Sequence, residues 1–395
     1  MESAMEPLAW GAILASVLRL FLPVWIALVA TFALSIVFKR RLGLYGKLFD
    51  STVGMIGFGF VMFWVFTALF APLIETRDVL SQISQMKNVL PGTPIPDGSG
   101  HYLFGGDNLG RDVFSRMVAG SRIVIQIAPL ATMFAFMVGV TLGLPAGYYG
   151  GVFDTGLSFL ANLVLAFPVI LLFYLLVTPE IVETGLPQYI AVVLFILPLL
   201  FLVLLINSRY YVTPGFRNIV IAVVLVIGGW AYLSLVSEAG TKIAVLPQAL
   251  DIIHVPANIL IVFVSVVFVN APTVFRIVRG IVLDIKTRDY VSAAQTRGER
   301  PWYIMLWEIL PNARGPLIVD FCLRIGYTTI LLGTLGFFGL GLSPESPDWG
   351  STINAGRKLL TIAPWPALVP AIALMSLVLG LNLLADGLRE ESLKD

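Results

Sequence analysis

Long apolar runs recur along the chain with little polar alternation. Each is close to the roughly 20 residues a helix needs to cross a bilayer. They fall near 12–38, 52–74, 121–145, 154–177, 188–206, 218–236, 257–275, 316–341 and 364–385. The pattern predicts an all-α, polytopic membrane helix bundle with about nine transmembrane helices. The runs are too long and too uniformly apolar for barrel strands. Arg19 interrupts the first run and Pro23 is placed to kink it, so an interfacial helix is the alternative there.

The polar positions between the runs set an orientation. Short connections rich in Lys and Arg stay on the cytoplasmic side. Lys39, Arg40, Arg41 and Lys47 mark one such connection, and Arg209 and Arg217 mark another. The most basic is 276–315, with Arg276, Arg279, Lys286, Arg288, Arg297, Arg300 and Arg314. Alternation from these anchors places the N-terminus, 75–104 and 342–363 outside and the tail from Asp386 inside.

Composition agrees. The chain has 395 residues, 58% hydrophobic and 12% charged, with mean hydropathy +0.91. A soluble domain sits near 45–50% apolar and about 25% charged. The excess implies lipid as solvent and a multi-pass membrane protein. The net charge of +1 gives no argument for nucleic acid. One cysteine, Cys322, and two distant histidines, His101 and His254, leave no internal disulfide and no expected metal site. No cofactor is expected.

The loop 276–315 carries the most informative pattern. It reads Asp289-Tyr290-Val291-Ser292-Ala293-Ala294-Gln295-Thr296-Arg297-Gly298, then Pro301 through Leu310-Pro311. Ala293 and Ala294 favour a helix and are small enough to sit deep in another protein's groove. Gly298 suits a left-handed helix end, and Pro301 the first turn of a second helix. Ile304, Trp307 and Leu310 would form its apolar face, and Pro311 would stop it. The result is a cytoplasmic helix–turn–helix elbow. An ordinary amphipathic loop is the plainer alternative.

This stretch resembles the EAA loop of binding-protein-dependent ABC permeases, in which Glu-Ala-Ala, three residues and Gly precede Leu-Pro. Ala293, Ala294, Gly298, Leu310 and Pro311 match, and Ser292 stands in the glutamate position. A second run, Phe104-Gly-Gly-Asp107-Asn-Leu-Gly110-Arg111-Asp112-Val-Phe-Ser115-Arg116, is similar to a signature of the dipeptide/oligopeptide C-type subunit. There Asp107 is a candidate N-cap and Asp112 a candidate partner for Arg116. A capped outside helix without a ligand role is the simpler reading. Ala146–Gly151, Phe337–Leu342, Pro347–Gly350, Ala363–Trp365 and Asn382–Arg389 extend the similarity.

The resemblance covers about 52–177 and 257–391. It implies a type I ABC importer permease: a six-helix-like family part plus extra helices. The chain then divides into 1–50, an extra helix and basic linker; 51–177, the first permease part; 178–256, an insertion with two extra helices; and 257–395, the second permease part. The implied partners are a second homologous permease, two ATPase subunits and an extracytoplasmic solute-binding protein, besides the lipid bilayer. Tyr290, Ser292, Ala293, Ala294, Gly298, Leu310 and Pro311 would then form the loop that couples to the ATPases. The implied cargo is peptides or similar small solutes.

No Gly-x-x-x-x-Gly-Lys-[Ser/Thr] occurs, so ATP would be hydrolysed on another chain and no catalytic residue is expected here. Asp320 and Arg324, four apart in the eighth run, are a candidate intramembrane ion pair or a pair snorkelling to water. Asn162 and Asn270 are weaker polar candidates, which an interhelical hydrogen bond would explain as well. A secondary transporter or channel acting alone is the competing function. It would need ion-coupling groups and usually an internal repeat.

Overall fold

A computed structural model describes residues 6–236, 257–340, 343 and 345–392. His254, the 341–342 end of the Phe337 run, the 237–256 end of the insertion and both chain ends lie outside them. Thirteen helices carry the architecture. They are α1 (Trp10–Leu20), α2 (Leu22–Phe38), α3 (Thr52–Leu69), α4 (Val113–Tyr149), α5 (Gly151–Ala166), α6 (Val169–Val177) and α7 (Leu186–Arg209). After these come α8 (Pro214–Val236), α9 (Ala257–Ile285), α10 (Asp289–Thr296), α11 (Arg314–Phe338), α12 (Trp349–Arg357) and α13 (Trp365–Ser392). Two-residue strands β1 (Thr93–Pro94) and β2 (His101–Tyr102) pair antiparallel in the loop before α4. Among the described residues eight helices are long and apolar enough to cross a membrane, or nine if α5 and α6 count as one bent span.

The differences from the apolar runs have local causes. The run 12–38 is two helices. The chain turns at Phe21, and Pro23 sits in the first turn of α2, where its missing N–H costs nothing. Eleven residues of α1 rise about 16 Å, too little to cross a core of about 30 Å. The run 154–177 bends by 85° between α5 and α6. Phe167 precedes Pro168 and takes an extended conformation, as sterics before proline favour. Two runs are longer than their apolar cores suggest: α4 has 37 residues, and α9 runs on to Ile285, which puts Arg276 and Arg279 on the helix and not in the connection expected from 276.

The chain divides into two compact units, one holding 1–129 and 322–395, the other 130–321. In the first, α3 lies along α13 and α12 packs on α13. Trp64 meets Trp349 edge to face at 5.0 Å and donates to the Ser376 hydroxyl at 2.9 Å. The buried core there runs from Ile13 and Phe21 through Trp64 and Phe114 to Trp349 and Leu377.

In the second unit, α5, α6 and α7 pack on α9, and α7 and α8 form an antiparallel hairpin. Gly139, Gly143 and Gly147 of α4 face Val274, Val278 and Val282 of α9. A Cβ on any of the three would come within 2.9 Å of valine side-chain carbons. Small residues at this spacing let two backbones approach closely, the chief means of helix association where lipid is as apolar as leucine.

Candidate functional sites

The signature run before α4 folds into a buried clamp in the first unit. Asp107 accepts hydrogen bonds from the Leu109 and Arg111 amides at 2.8 and 2.9 Å, and from Arg111 Nε at 2.6 Å. It holds this turn and does not cap the helix. Asp112 is the cap. Its carboxylate accepts from the Ser115 amide and hydroxyl at 3.1 and 2.7 Å and from the Thr76 hydroxyl at 2.7 Å. Burial pushes the Asp112 carboxyl above the usual carboxylate range, against these hydrogen bonds, which favour its ionised form. Burial also pushes the Tyr102 phenol up to about 12, so it remains a donor, to the Gly110 carbonyl at 2.9 Å.

Arg116 does not take Asp112 as its partner. Its guanidinium donates to the carbonyls of Ser346 at 2.6 Å, Glu345 at 3.3 Å and Val79 at 3.4 Å, and to the Thr352 hydroxyl at 3.3 Å. The sequence pair at i, i+4 is real as a spacing, but the carbonyls of a distant turn present a better match to a planar fork of donors. Asp107, Arg111, Asp112, Ser115 and Arg116 are all buried, and Gly110 with them. Their hydrogen bonds run within the chain, as a structural clamp requires, although Arg116 Nε is buried without a partner.

The elbow of the second unit begins at α10. Gly298 has φ +78°, the left-handed region that glycine enters without steric cost. Its amide donates to the Gln295 carbonyl at 2.9 Å, and the Glu299 amide to the Ala294 carbonyl at 3.2 Å. This is the paired closure of a Schellman motif, which satisfies the last free carbonyls of the helix. Pro301 then opens the second helix.

That second helix departs from the expected stop and face. It runs through Pro311 to Asn312, and residues 304–309 form wide π turns. Pro311 has no N–H for the carbonyl of Trp307 one α turn back, and a wider turn accommodates that loss. Wider turns move the buried side. Ile304, Met305, Leu306 and Ile309 are buried, while Trp307 and Leu310 are half-buried.

The face of α10 is also set by packing. Val291 and Ala294 are fully buried in a core with Val282, Ile304 and Met305. Ser292, Ala293 and Tyr290 are exposed, as are Gly298 and Pro311. Ala294 is thus small for the sake of its own chain, and Ala293 is the small residue on the open side. Gln295 donates to the Tyr148 hydroxyl at 3.2 Å and Lys286 to the Gly147 carbonyl at 2.8 Å, tying the elbow to the end of α4. Arg297 and Glu308 pair across the two elbow helices at 2.8 Å.

The family described as binding-protein-dependent transport system inner membrane component matches residues 139–390, a stretch that contains the whole elbow. The chain belongs to this family. It is similar to a dipeptide transport system permease protein of Alkalihalophilus pseudofirmus, 27% identical over 346 residues, covering 88% of this chain and 87% of that one. A glutathione transport system permease protein of Pectobacterium atrosepticum is 30% identical over 292 residues, 74% of this chain and 72% of that one. The dipeptide permease of Haemophilus influenzae is 27% identical over 336 residues, 85% and 88% of the two chains. The protein is therefore a permease subunit of an ABC importer, multi-pass in the cytoplasmic membrane.

One feature of this permease was not foreseen from its sequence. The α7–α8 hairpin reaches the elbow: Trp307 Nε1 donates to the Ser208 hydroxyl at 3.0 Å, and Arg209 lies over the Trp307 ring at 4.9 Å. Arg300 lies over the Tyr211 ring at 3.4 Å and donates to its hydroxyl. Of the two polar candidates within spans, Asn162 accepts an interhelical hydrogen bond from Arg276 at 2.7 Å. The other polar candidate, Asn270, donates to the Val266 carbonyl one turn back in its own helix. Of the candidate charged pair on α11, Asp320 is half-buried and Arg324 is buried.

Proposed function

We propose that this permease carries peptides or similarly small solutes into the cell, together with a second homologous permease, two ATPase subunits and an extracytoplasmic solute-binding protein. Similarity to dipeptide and glutathione permeases supports the cargo class. The elbow lies on the cytoplasmic side in this reading, and 75–104 lies outside. ATP is hydrolysed on the partner subunits, which grip the exposed face of α10 at Tyr290, Ser292 and Ala293. Asp320 and Arg324 stay in this reading as an intramembrane ion pair.

The single observation that carries the coupling role is the construction of α10. One side is locked into its own chain by Val291 and Ala294, its end is closed at Gly298, and its other side is open. A rigid element of this kind passes motion on, where a loose loop would absorb it. Gly298→Asp forces a side chain into the left-handed region at a cost of about 1–2 kcal/mol. Ala293→Trp keeps the helix and fills its open face. Both are expected to insert in the membrane yet lose uptake, with ATPase subunits lost or hydrolysis uncoupled. Uptake and ATPase activity of the reconstituted importer, with and without loaded binding protein, decide it. Normal coupling in both variants would remove the elbow from this role, and solute uptake by the lone chain would favour a transporter acting alone.

A further inference from the structure

A cavity of about 330 Å³ opens between α5 and α9, lined by Ser158, Ala161, Asn162, Phe275, Arg276 and Arg279. Its two arginines differ in what they face. Arg279 is neutralised by Asp154, which accepts from both Nε and Nη2. Ser158 donates to the same carboxylate at 3.2 Å. Arg276 meets only the neutral amide oxygen of Asn162, and no carboxylate pairs with it among the described residues. The cavity therefore carries one uncompensated positive charge, with a hydroxyl and an amide beside it and an apolar floor.

Its depth decides what could compensate that charge. Asn162 lies roughly 16 Å along α5 from the turn at Gly150–Gly151, at 1.5 Å per residue. The hydrocarbon core is about 30 Å thick. Arg276 itself lies nine residues, about 14 Å, before the end of α9 at Ile285, so with α5 and α9 crossing the bilayer its guanidinium sits deeper than a lipid phosphate reaches. Both Arg276 and Asn162 are exposed on the surface of this chain. A charged group at such a depth is costly against lipid tails and marks a water-filled pathway instead.

We propose that this pocket is a stretch of the solute pathway that takes the carboxylate of the solute in transit, with Arg276 as the binding cation and Asn162 fixing its orientation. A guanidinium presents a planar fork of donors that matches a carboxylate. Arg276 has five N–H donors and gives one to Asn162. The Arg279–Asp154 pair braces the wall and adds no net charge. The proposal relies on the peptide reading only for the identity of the solute.

The test uses the whole importer in phosphatidylcholine vesicles, with Ser158→Cys in a Cys322→Ser background. Labelling of this chain is timed with anionic sulfonatoethyl and cationic trimethylammonioethyl methanethiosulfonate. The anionic reagent is expected to react about tenfold faster relative to its rate with a free thiol, because the field of one nearby cation concentrates it. Arg276→Gln should bring the two rates together, and Arg276→Lys should keep the preference. Uptake of trialanine should exceed that of its amide in the wild type, and Arg276→Gln should abolish the difference. No labelling by either reagent, a preference that survives Arg276→Gln, or blocking by phosphatidylglycerol as an occupying headgroup would each overturn the proposal. If the wild type carries neither peptide while the labelling preference holds, the peptide reading fails and the anion pocket stands.

Discussion

The indole N–H of Trp307 donates to the Ser208 hydroxyl at 3.0 Å, which joins the elbow to the turn of the α7–α8 hairpin. Ser208 and Arg209 close α7, and Tyr211 follows in the turn to α8. The α7–α8 hairpin thus braces the second elbow helix through three side chains. Trp307→Phe and Ser208→Ala should each lower the stability of the purified complex by roughly 1 kcal/mol, the usual worth of one hydrogen bond. The double variant should be no worse than the weaker single one, because both remove the same contact. Thermal unfolding followed by fluorescence checks this, and additive losses would mean the bond contributes nothing.

Arg116 should behave as a structural residue. Arg116→Ala removes donors from the Ser346, Glu345 and Val79 carbonyls inside a buried clamp. Lower protein level and a melting point lowered by several degrees are expected, from a loss on the order of 2–3 kcal/mol. The preference among solutes in uptake competition should stay the same. A stable variant with altered preference would assign the clamp to cargo instead.

Close approach of α4 and α9 rests on Gly143, where a Cβ would come within 2.9 Å of Val278. Gly143→Leu should separate the helices and reduce the yield of folded subunit, while Gly156→Ala, in open space on α5, should be tolerated. The comparison is read as monodisperse protein after detergent extraction. Equal yields would show that the glycine stripe is not needed for packing.

The orientation is tested with single cysteines in a Cys322→Ser background. Ser99 and Ser292 are both exposed on the chain surface, so accessibility alone does not separate them. An impermeant thiol reagent applied to intact cells should label Ser99→Cys and spare Ser292→Cys, with both labelled after lysis. The reverse order would invert the topology drawn from the basic connections.

The sequence by itself determined what short stretches of chain decide. Uniform apolar runs require lipid, so hydropathy found the spanning helices among the described residues, while the ends of α2, α4 and α9 lie up to ten residues from the ends of their runs. Gly298 followed by Pro301 specified the turn of the elbow, because left-handed backbone and a missing N–H are properties of the residues themselves. Partner choice was another matter. The sequence pointed to Asp107 as the cap and Asp112 as a partner for Arg116, and only the fold put Asp112 at the start of α4 and Asp107 against Arg111. Nothing near Arg116 in sequence announces the Ser346 carbonyl, 230 residues away. Ala293 and Ala294 are interchangeable as letters, and only the packing of Val291 and Ile304 turned one inward and left the other open. Hydrogen bonds and close packing act over a few ångströms of space, and a chain folded on itself makes neighbours that its order along the sequence does not contain.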